Sequence, residues 1–316
     1  MKFKKPKFWD FNKPNLLSFL LLPFTLPFLI SNFFLNKKSK KKFEKIKSIC
    51  VGNIYVGGTG KTPSVIELFN ILKKHNFRVS TGKKYYSDQL DEQSILKKKT
   101  DLICANSREK IIEIAIQNNQ EVLIFDDGLQ DKQISYNIKI ACFKGQNWIG
   151  NGNLIPSGPL REKISSLRKF DAIFLKHAES KKSQILEIVK NINPKIEIFF
   201  TSYEVINLEK FDNSKDYLIF SGIGNPEDFR YTLMKKNFNI VNEITFPDHH
   251  NYRKIDIDQI KLKAKKLNAK IVTTEKDYIK IADDDKKNID FVEVCLKIED
   301  EEKLINFLKK NFYEKP

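Results

Sequence analysis

The sequence predicts an α/β protein: a doubly wound, mostly parallel sheet, a second and smaller α/β lobe, and an apolar helical segment with basic flanks ahead of both. Three observations lead there. Short apolar runs alternate with stretches whose apolar residues recur at helical spacing. One run opens into a glycine-rich loop followed by Lys61-Thr62 and a helical pattern, and another ends in the carboxylate pair Asp126-Asp127. Near residues 208–217 the chain turns polar, and the strand–helix alternation then starts again.

The chain's 316 residues suffice for two ordinary domains. The expected division is an anchoring segment over 1–45, a larger domain over 46–215 and a smaller lobe over 216–316. The stretch 14–36, PNLLSFLLLPFTLPFLISNFFLN, carries no charge. About 20 helical residues span a hydrocarbon core, yet Pro23 and Pro27 each remove a backbone donor from the middle of such a helix. The flanks KFKKPK and KKSKKK are equally basic, whereas a single crossing carries its positive charge on one side. Both flanks are satisfied together on the anionic cytoplasmic face of a membrane, so a kinked anchor that lies in or dips into the surface is expected. No small-residue cleavage site follows, which argues against a signal peptide.

Next, IKSICVGN reads as a buried strand, and TPSVIELFNILKKHNF as the helix behind the loop, with Val65, Ile66, Leu68, Phe69 and Leu72 at helical spacing. FRVST is a second strand, SREKIIEIAIQNN a helix, and EVLIFDDG, IKIACFKG and FDAIFLKH further strands. In the second half YLIFSGIG, IVNEITF, AKIVTTE and DFVEVCLK are the strand candidates, with helices between them.

The loop VGNIYVGGTGKTP, residues 51–63, departs from the Gly-x-x-x-x-Gly-Lys-[Ser/Thr] pattern because Tyr55 stands where the first glycine would. Its strand–loop–helix setting is nevertheless that of a phosphate-binding loop, and Gly57 and Gly58 supply the freedom to turn nearby. Tyr55, Val56, Gly57, Gly58, Thr59, Gly60, Lys61 and Thr62 are therefore the expected nucleotide cradle. In it backbone N–H groups and the helix N-terminus face the phosphates, Lys61 reaches the β and γ phosphates, and Thr62 offers its hydroxyl to Mg²⁺. Asp126 and Asp127, at the end of an apolar strand, are the expected metal-binding partners. ATP and Mg²⁺ are the implied cofactors, and the fold is of the P-loop NTPase type.

Lys and Arg number 56 against 40 Asp and Glu, a net charge of +16, so the partner is expected to be acidic: nucleic acid, an anionic membrane or a phosphorylated substrate. No stacking motif or basic–aromatic stripe supports nucleic acid, and nothing points to an obligate protein partner. The four cysteines are scattered without a CxxC pair, which fits a reducing compartment and argues against a zinc or disulfide framework.

Further stretches are NWIGNGNLIPSGPLREK (147–163), SGIGNPEDF (221–229), FPDHHNY (246–252) and VTTEKDYIKI (272–281). Together with DDGLQ and VGGTGKTP, they make the chain resemble the tetraacyldisaccharide 4′-kinase family, almost from end to end. The resemblance implies two α/β/α lobes with the active site between them, on the cytoplasmic face of the bacterial inner membrane. It implies transfer of the γ-phosphate of ATP to the 4′-hydroxyl of a tetraacylated glucosamine disaccharide 1-phosphate, an anionic lipid that stays in the membrane surface, in lipid A biosynthesis. Matched by motif, Arg161 lies near the phosphates, Asp91 of LDEQSIL is the acidic partner in an Asp–His dyad, and Glu92 sits near the metal. The histidine comes from Asp248-His249-His250; His249 is favoured, with His250 open.

Two departures stand out. The family writes Asp-Gly-Phe-Gln-His where this chain has Leu129 and Asp131, and Arg-Gly-Tyr where it has Thr81-Gly82-Lys83. Both are expected to touch substrate contacts and the placing of Asp91 while leaving the nucleotide site unchanged. The rival reading from another class is a membrane-associated ATPase or GTPase switch, which accounts for the loop and the Asp pair but gives Asp91 and the histidines no role.

Overall fold

Apolar runs that are buried on both faces belong inside a parallel sheet covered by helices, and the first half of the chain builds one. The structure, a computed structural model, describes residues 5–26, 41–86, 90–131, 133–176 and 181–313. The chain forms two compact units. The larger comprises Lys5–Tyr85, Leu96–Ser202 and Ile298–Pro316, and the smaller, among described residues, comprises Tyr86–Ile95 and Tyr203–Lys297.

In the larger unit the chain runs through α1 (Leu16–Leu21), β1 (Lys47–Gly52), α2 (Lys61–Lys74), β2 (Val79–Lys84) and α3 (Leu90–Lys99), whose first turn belongs to the smaller unit. It continues through β3 (Leu102–Ala105), α4 (Arg108–Gln117), β4 (Val122–Asp126), β5 (Ile138–Lys144), β6 (Ala172–Lys176), α5 (Lys182–Ile192) and β7 (Glu197–Val205). These strands lie side by side in the order β7-β6-β5-β1-β4-β2-β3, with parallel pairings throughout. Alternate residues of β4 show the two-faced burial: Leu123 and Phe125 pack with Ile103, Ile111, Ile112 and Ala115 on the α4 side, while Val122 and Ile124 are as fully buried on the other.

Because β1 is followed by a strand two places to one side and β4 by β5 on the opposite side of β1, the strand order reverses about β1 and β4. At such a reversal the carboxyl ends of parallel strands open a crevice for ligand. The glycine loop follows β1, Asp126 ends β4, and Lys83 lies near the end of β2, so this edge gathers the chemistry.

The smaller unit contains β8 (Asp216–Ser221), α6 (Pro226–Met234), β9 (Asn239–Thr245), α7 (Lys254–Lys266), β10 (Lys270–Thr274), α8 (Glu275–Tyr278), β11 (Ile289–Val292) and most of β12 (Val294–Ile298). Its sheet has the order β11-β10-β8-β9 and is parallel. DFVEVCLK, expected as one strand, is broken at Glu293 into β11 and β12, because the Glu293 N–H bonds the Asn207 side chain at 2.9 Å instead of continuing a ladder. After β12 the chain returns to the larger unit for α9 (Glu301–Tyr313), and it visits the smaller unit early, at Tyr86–Ile95. The units thus differ from the contiguous blocks 46–215 and 216–316 read from the sequence.

The N-terminal segment is a short helix kinked at Pro23, where α1 passes into a 3₁₀ turn over Leu22–Thr25; Pro27 and the rest of the apolar stretch to residue 36 lie outside the described residues. Its polar side is fastened to the 147–160 loop. Asn151 Nδ2 donates to Ser18 Oγ at 2.8 Å, Ser157 Oγ to Ser18 O at 2.7 Å, and Trp9 Nε1 to Pro156 O at 3.0 Å. The asparagine- and glycine-rich motif there is therefore the seat of the N-terminus. Among the described residues no helix is long and apolar enough to cross a membrane.

Candidate active site

The residues expected around the phosphates lie wholly in the larger unit. Gly60, at the N-cap of α2, holds a left-handed φ of 87°, and Gly57 a φ of 131°; side chains rarely adopt such values, so the turn is made without a glycine at position 55. Asn53 braces the loop from inside, its Nδ2 donating to Tyr55 O at 2.6 Å and to Thr59 Oγ1 at 3.0 Å. Gln130 Nε2 in turn holds Asn53 O at 3.0 Å and Glu162 Oε1 at 3.1 Å. Tyr55, expected in the cradle, has its side chain engaged elsewhere: the ring packs with Leu154 and Leu160, and the hydroxyl bonds Asp10 and Lys5. Thr59 is likewise a buried strut of the loop.

Asp126 and Asp127 play different parts. Thr62 Oγ1 donates to Asp126 Oδ2 at 3.0 Å, while Asp126 Oδ1 is buried without a hydrogen-bond partner. A buried carboxylate oxygen left unbonded beside a hydroxyl is a hard donor set of the kind Mg²⁺ takes, since that ion uses one or two protein oxygens and completes its shell with phosphate and water. Among the described residues no three His, Cys, Asp or Glu gather as a metal cage. Asp127 has a left-handed φ of 63° and points its carboxylate between two cations, 3.9 Å from Lys61 Nζ and 3.5 Å from Arg161 Nη1. Cations converging on one anion mark where a phosphate oxygen can sit.

The departures from the family pattern do enter this side, contrary to expectation. Asp131 accepts from Arg108 Nη1 at 2.7 Å, and Arg108 Nη2 donates to the Asp127 carbonyl at 2.7 Å, clasping the strained residue. Leu129 packs on Gly52, where an added Cβ would come within 2.6 Å of Leu129 Cγ. Lys83 Nζ lies 2.7 Å from Asp126 Oδ2. The sheet dictates the last contact, for Gly82 is in register with Phe125, which sets the next residues, Lys83 and Asp126, side by side.

A second constellation lies wholly in the smaller unit. Asp91 comes from the first turn of α3, and His249 from the loop after β9, held at a left-handed φ of 56°. His249 Nδ1 lies 3.2 and 3.1 Å from the two carboxylate oxygens of Asp91, and Lys276 Nζ lies 3.4 Å from Nε2. A carboxylate can only accept and an ammonium only donate, so both contacts select one tautomer: Nδ1 carries the proton and Nε2 the lone pair. His250 is engaged elsewhere, with Asp256 Oδ2 at 3.2 Å and its ring stacked on Phe246. Glu92, expected near the metal, lies 3.7 Å from Lys276 Nζ and 4.0 Å from His249 Nε2.

Buried Asp277 organises this constellation. It accepts from the Gly222 N–H at 2.9 Å and Thr274 Oγ1 at 2.8 Å and pairs with Lys280 at 2.9 Å, and the Gly222 carbonyl receives the His249 N–H at 3.1 Å. Burial raises the Asp91 pKa, but the hydrogen bond with His249 and the charges of Lys276 and Lys280 outweigh it and hold the carboxyl well below its usual range. Burial lowers the Lys276 pKa, and the charges of Asp248, Glu92 and Asp91 reverse that, leaving it raised. Asn53, Arg108, Lys276 and Lys280 lie in stretches quoted from the sequence but were not expected as site residues, and Lys83 was expected to bear on substrate contacts and the placing of Asp91, not on the nucleotide site.

Compared with known proteins, the sequence matches the family described as Tetraacyldisaccharide-1-P 4'-kinase over residues 17–313. It is similar to the Tetraacyldisaccharide 4'-kinase of Pelagibacter ubique (strain HTCC1062), 47% identical over 312 residues that cover 98% of each chain. That of Rickettsia bellii (strain OSU 85-389) is 34% identical over 307 residues, covering 90% of this chain and 91% of the relative. Among solved structures, the "apo" form of LpxK from Aquifex aeolicus in complex with ATP matches with a TM-score of 0.70 and 24% identity, covering 94% of this chain and all of that one, a likeness of fold.

A carboxyl whose pKa is lowered on folding stabilises the folded state above its unfolded pKa, near 4, and that contribution is lost as the pH falls through the folded value. Wild type should therefore exceed Asp91→Asn in stability to urea at pH 7, with the gap shrinking as the pH is taken below about 4. A gap that stays constant to pH 2 would show that Asp91 is not held ionised by its neighbours.

Proposed function

Because the chain belongs to the tetraacyldisaccharide-1-P 4'-kinase family, we propose that its loop 55–62 holds ATP with Mg²⁺ and that Asp91 and His249 act as the proton-accepting pair for the sugar 4′-hydroxyl. The chain is a phosphotransferase of lipid A biosynthesis. The proposal concerns how this chain performs that transfer and where.

Phosphoryl transfer needs positioning and charge neutralisation more than covalent help from the protein. Lys61 and Arg161, now drawn to Asp127, would turn to the γ-phosphate oxygens and stabilise the charge spread over them. Thr62 and Asp126 would hold Mg²⁺, which neutralises charge on the β and γ phosphates when bound. As the acceptor oxygen bonds to the γ-phosphorus, the bond from that phosphorus to the oxygen bridging to the β-phosphate breaks and ADP leaves. With the acceptor hydroxyl in place of Lys276 Nζ at His249 Nε2, its proton would pass to that nitrogen, and Asp91, accepting from Nδ1–H, would stabilise the resulting imidazolium. The observation that carries this reading is the Asp91–His249–Lys276 array, which presets the tautomer a base needs. His250 is set the other way, its Nε2–H given to Asp256 and its ring stacked on Phe246.

The substrate class is an anionic acyl-disaccharide, and the N-terminal segment suits an enzyme that works on one at a membrane surface. Leu16, Leu17, Phe19, Leu20, Phe24 and Leu26 are all more than half exposed while Ser18 between them is fully buried in its polar seat. Burying one such side chain in lipid yields about 1.5–3 kcal/mol, and each basic residue of the flanks adds roughly 1 kcal/mol at an anionic surface. The reading is of a peripheral enzyme on the cytoplasmic face of the inner membrane.

With labelled ATP and vesicle-embedded disaccharide 1-phosphate, Lys61→Ala should reduce lipid labelling by about 10²-fold or more. Asp91→Ala and His249→Ala should lower kcat by roughly 10²–10⁴-fold with ATP affinity nearly unchanged, and His250→Ala should do far less. Release of free phosphate with no labelled lipid would favour a switch protein, and equal losses of ATP affinity and kcat in Asp91→Ala would remove the base role.

Replacing Leu16, Phe19, Leu20 and Phe24 with serine should weaken co-flotation of the full chain with anionic vesicles by tenfold or more. Unchanged flotation would remove the segment from membrane attachment.

A further inference from the structure

Lys83 is a buried cation that the transfer chemistry does not call for, standing against the carboxylate that the nucleotide site is built around. Its side chain is 2% exposed and that of Asp126 is fully buried, with 2.7 Å between Nζ and Oδ2. Thr62 Oγ1 donates to the same oxygen at 3.0 Å, so ammonium and hydroxyl together occupy Oδ2 while Oδ1 has no hydrogen-bond partner. An ionised carboxylate this deeply buried is costly unless a positive charge answers it.

In the absence of metal that charge comes from the chain's own β2. We propose that Lys83 is a resident counter-cation of Asp126, a positioning residue that keeps the carboxylate oriented with Oδ1 free, and that it sets how much the nucleotide site depends on Mg²⁺. The proposal rests on the reading that nucleotide phosphate and Mg²⁺ meet at Thr62 and Asp126.

The physics gives two opposite effects. A fixed positive charge beside Asp126 draws the anionic phosphates of metal-free ATP into the loop. The same charge repels an incoming divalent cation and shares its carboxylate, so it weakens the hold on Mg²⁺. Removing the charge while keeping a hydrogen-bond donor should therefore make metal-free nucleotide bind more weakly and Mg²⁺ more tightly. A role limited to packing would move both in the same direction or neither.

The test is binding, by fluorescence, of an N-methylanthraniloyl derivative of ATP to the full chain, first in EDTA and then across a Mg²⁺ titration. The variants are Lys83→Gln, which keeps a donor to Oδ2 without the charge, Lys83→Met as a second neutral variant, and Lys83→Arg, which keeps the charge. In both neutral variants, affinity in EDTA should fall about tenfold and the Mg²⁺ concentration for half-maximal enhancement should drop about tenfold, each a shift of about 1.4 kcal/mol. Lys83→Arg should stay within about threefold of wild type in both. An unchanged or raised Mg²⁺ requirement in the neutral variants overturns the role of Lys83. Wild-type binding that does not respond to Mg²⁺ at all would instead overturn the metal reading beneath it.

Discussion

A buried carboxylate at the end of a central strand is the constraint around which the larger unit is arranged. Asp126 can be there because the parallel sheet excludes water from both of its faces and because Thr62 and Lys83 meet the charge that water would otherwise solvate. The neighbouring geometry follows from the same strand end. Register puts Val51 of β1 and Gly82 of β2 beside the last residues of β4, so the loop that leaves β1 must turn over that carboxylate. Asp127, one residue further, is forced into a left-handed turn and is held in it by Arg108, which Asp131 fixes from the other side. The Arg108–Asp131 salt bridge thus closes this turn.

The smaller unit solves a different problem with similar means. The proposed base must keep one particular ring nitrogen unprotonated, and a histidine in an exposed loop exchanges between two tautomers. The fold selects one of them by a relay of hydrogen bonds: buried Asp277 fixes the Gly222 peptide, the Gly222 carbonyl fixes the His249 backbone, and Asp91 and Lys276 fix the ring. The lysines of the TTEKDYIK stretch have two functions there, since Lys280 balances Asp277 and, with Lys276, holds Asp91 ionised.

What could be read from the sequence is what chemistry writes locally. The loop from Tyr55 to Thr62 and the Asp pair are contiguous signatures, and runs of apolar residues made β1, α2, β2, α4, β4, β5 and β6 legible, whereas α3, β3, α5, β7 and α9 were not read. The partners of Lys83, Arg108 and Asn53 were not legible, because nothing adjacent to them in sequence reveals them; the contacts arise from sheet register and from loops folding back. Asn151 and Ser157 lie in the quoted stretch 147–163, but their hold on Ser18 spans more than 130 residues of chain. Asp91 was reached by resemblance alone, since an acidic pair in a polar loop looks solvated, whereas it opens the helix Leu90–Lys99 and meets His249. The break at Glu293 was illegible because the strand propensity on either side is continuous and the interruption is made by Asn207, far upstream.

Asp126 and Thr62 are the proposed seat where phosphate and metal meet. Mn²⁺ substituted for Mg²⁺ in crystals grown with a non-hydrolysable ATP analogue, and located by its anomalous scattering, tests that directly. The predicted result is a single strong peak beside Thr62 Oγ1 and the Oδ1 side of Asp126, with Lys61 and Arg161 turned from Asp127 to the γ-phosphate. A peak away from Thr62 and Asp126, or phosphates bound outside the 55–62 loop, would contradict it.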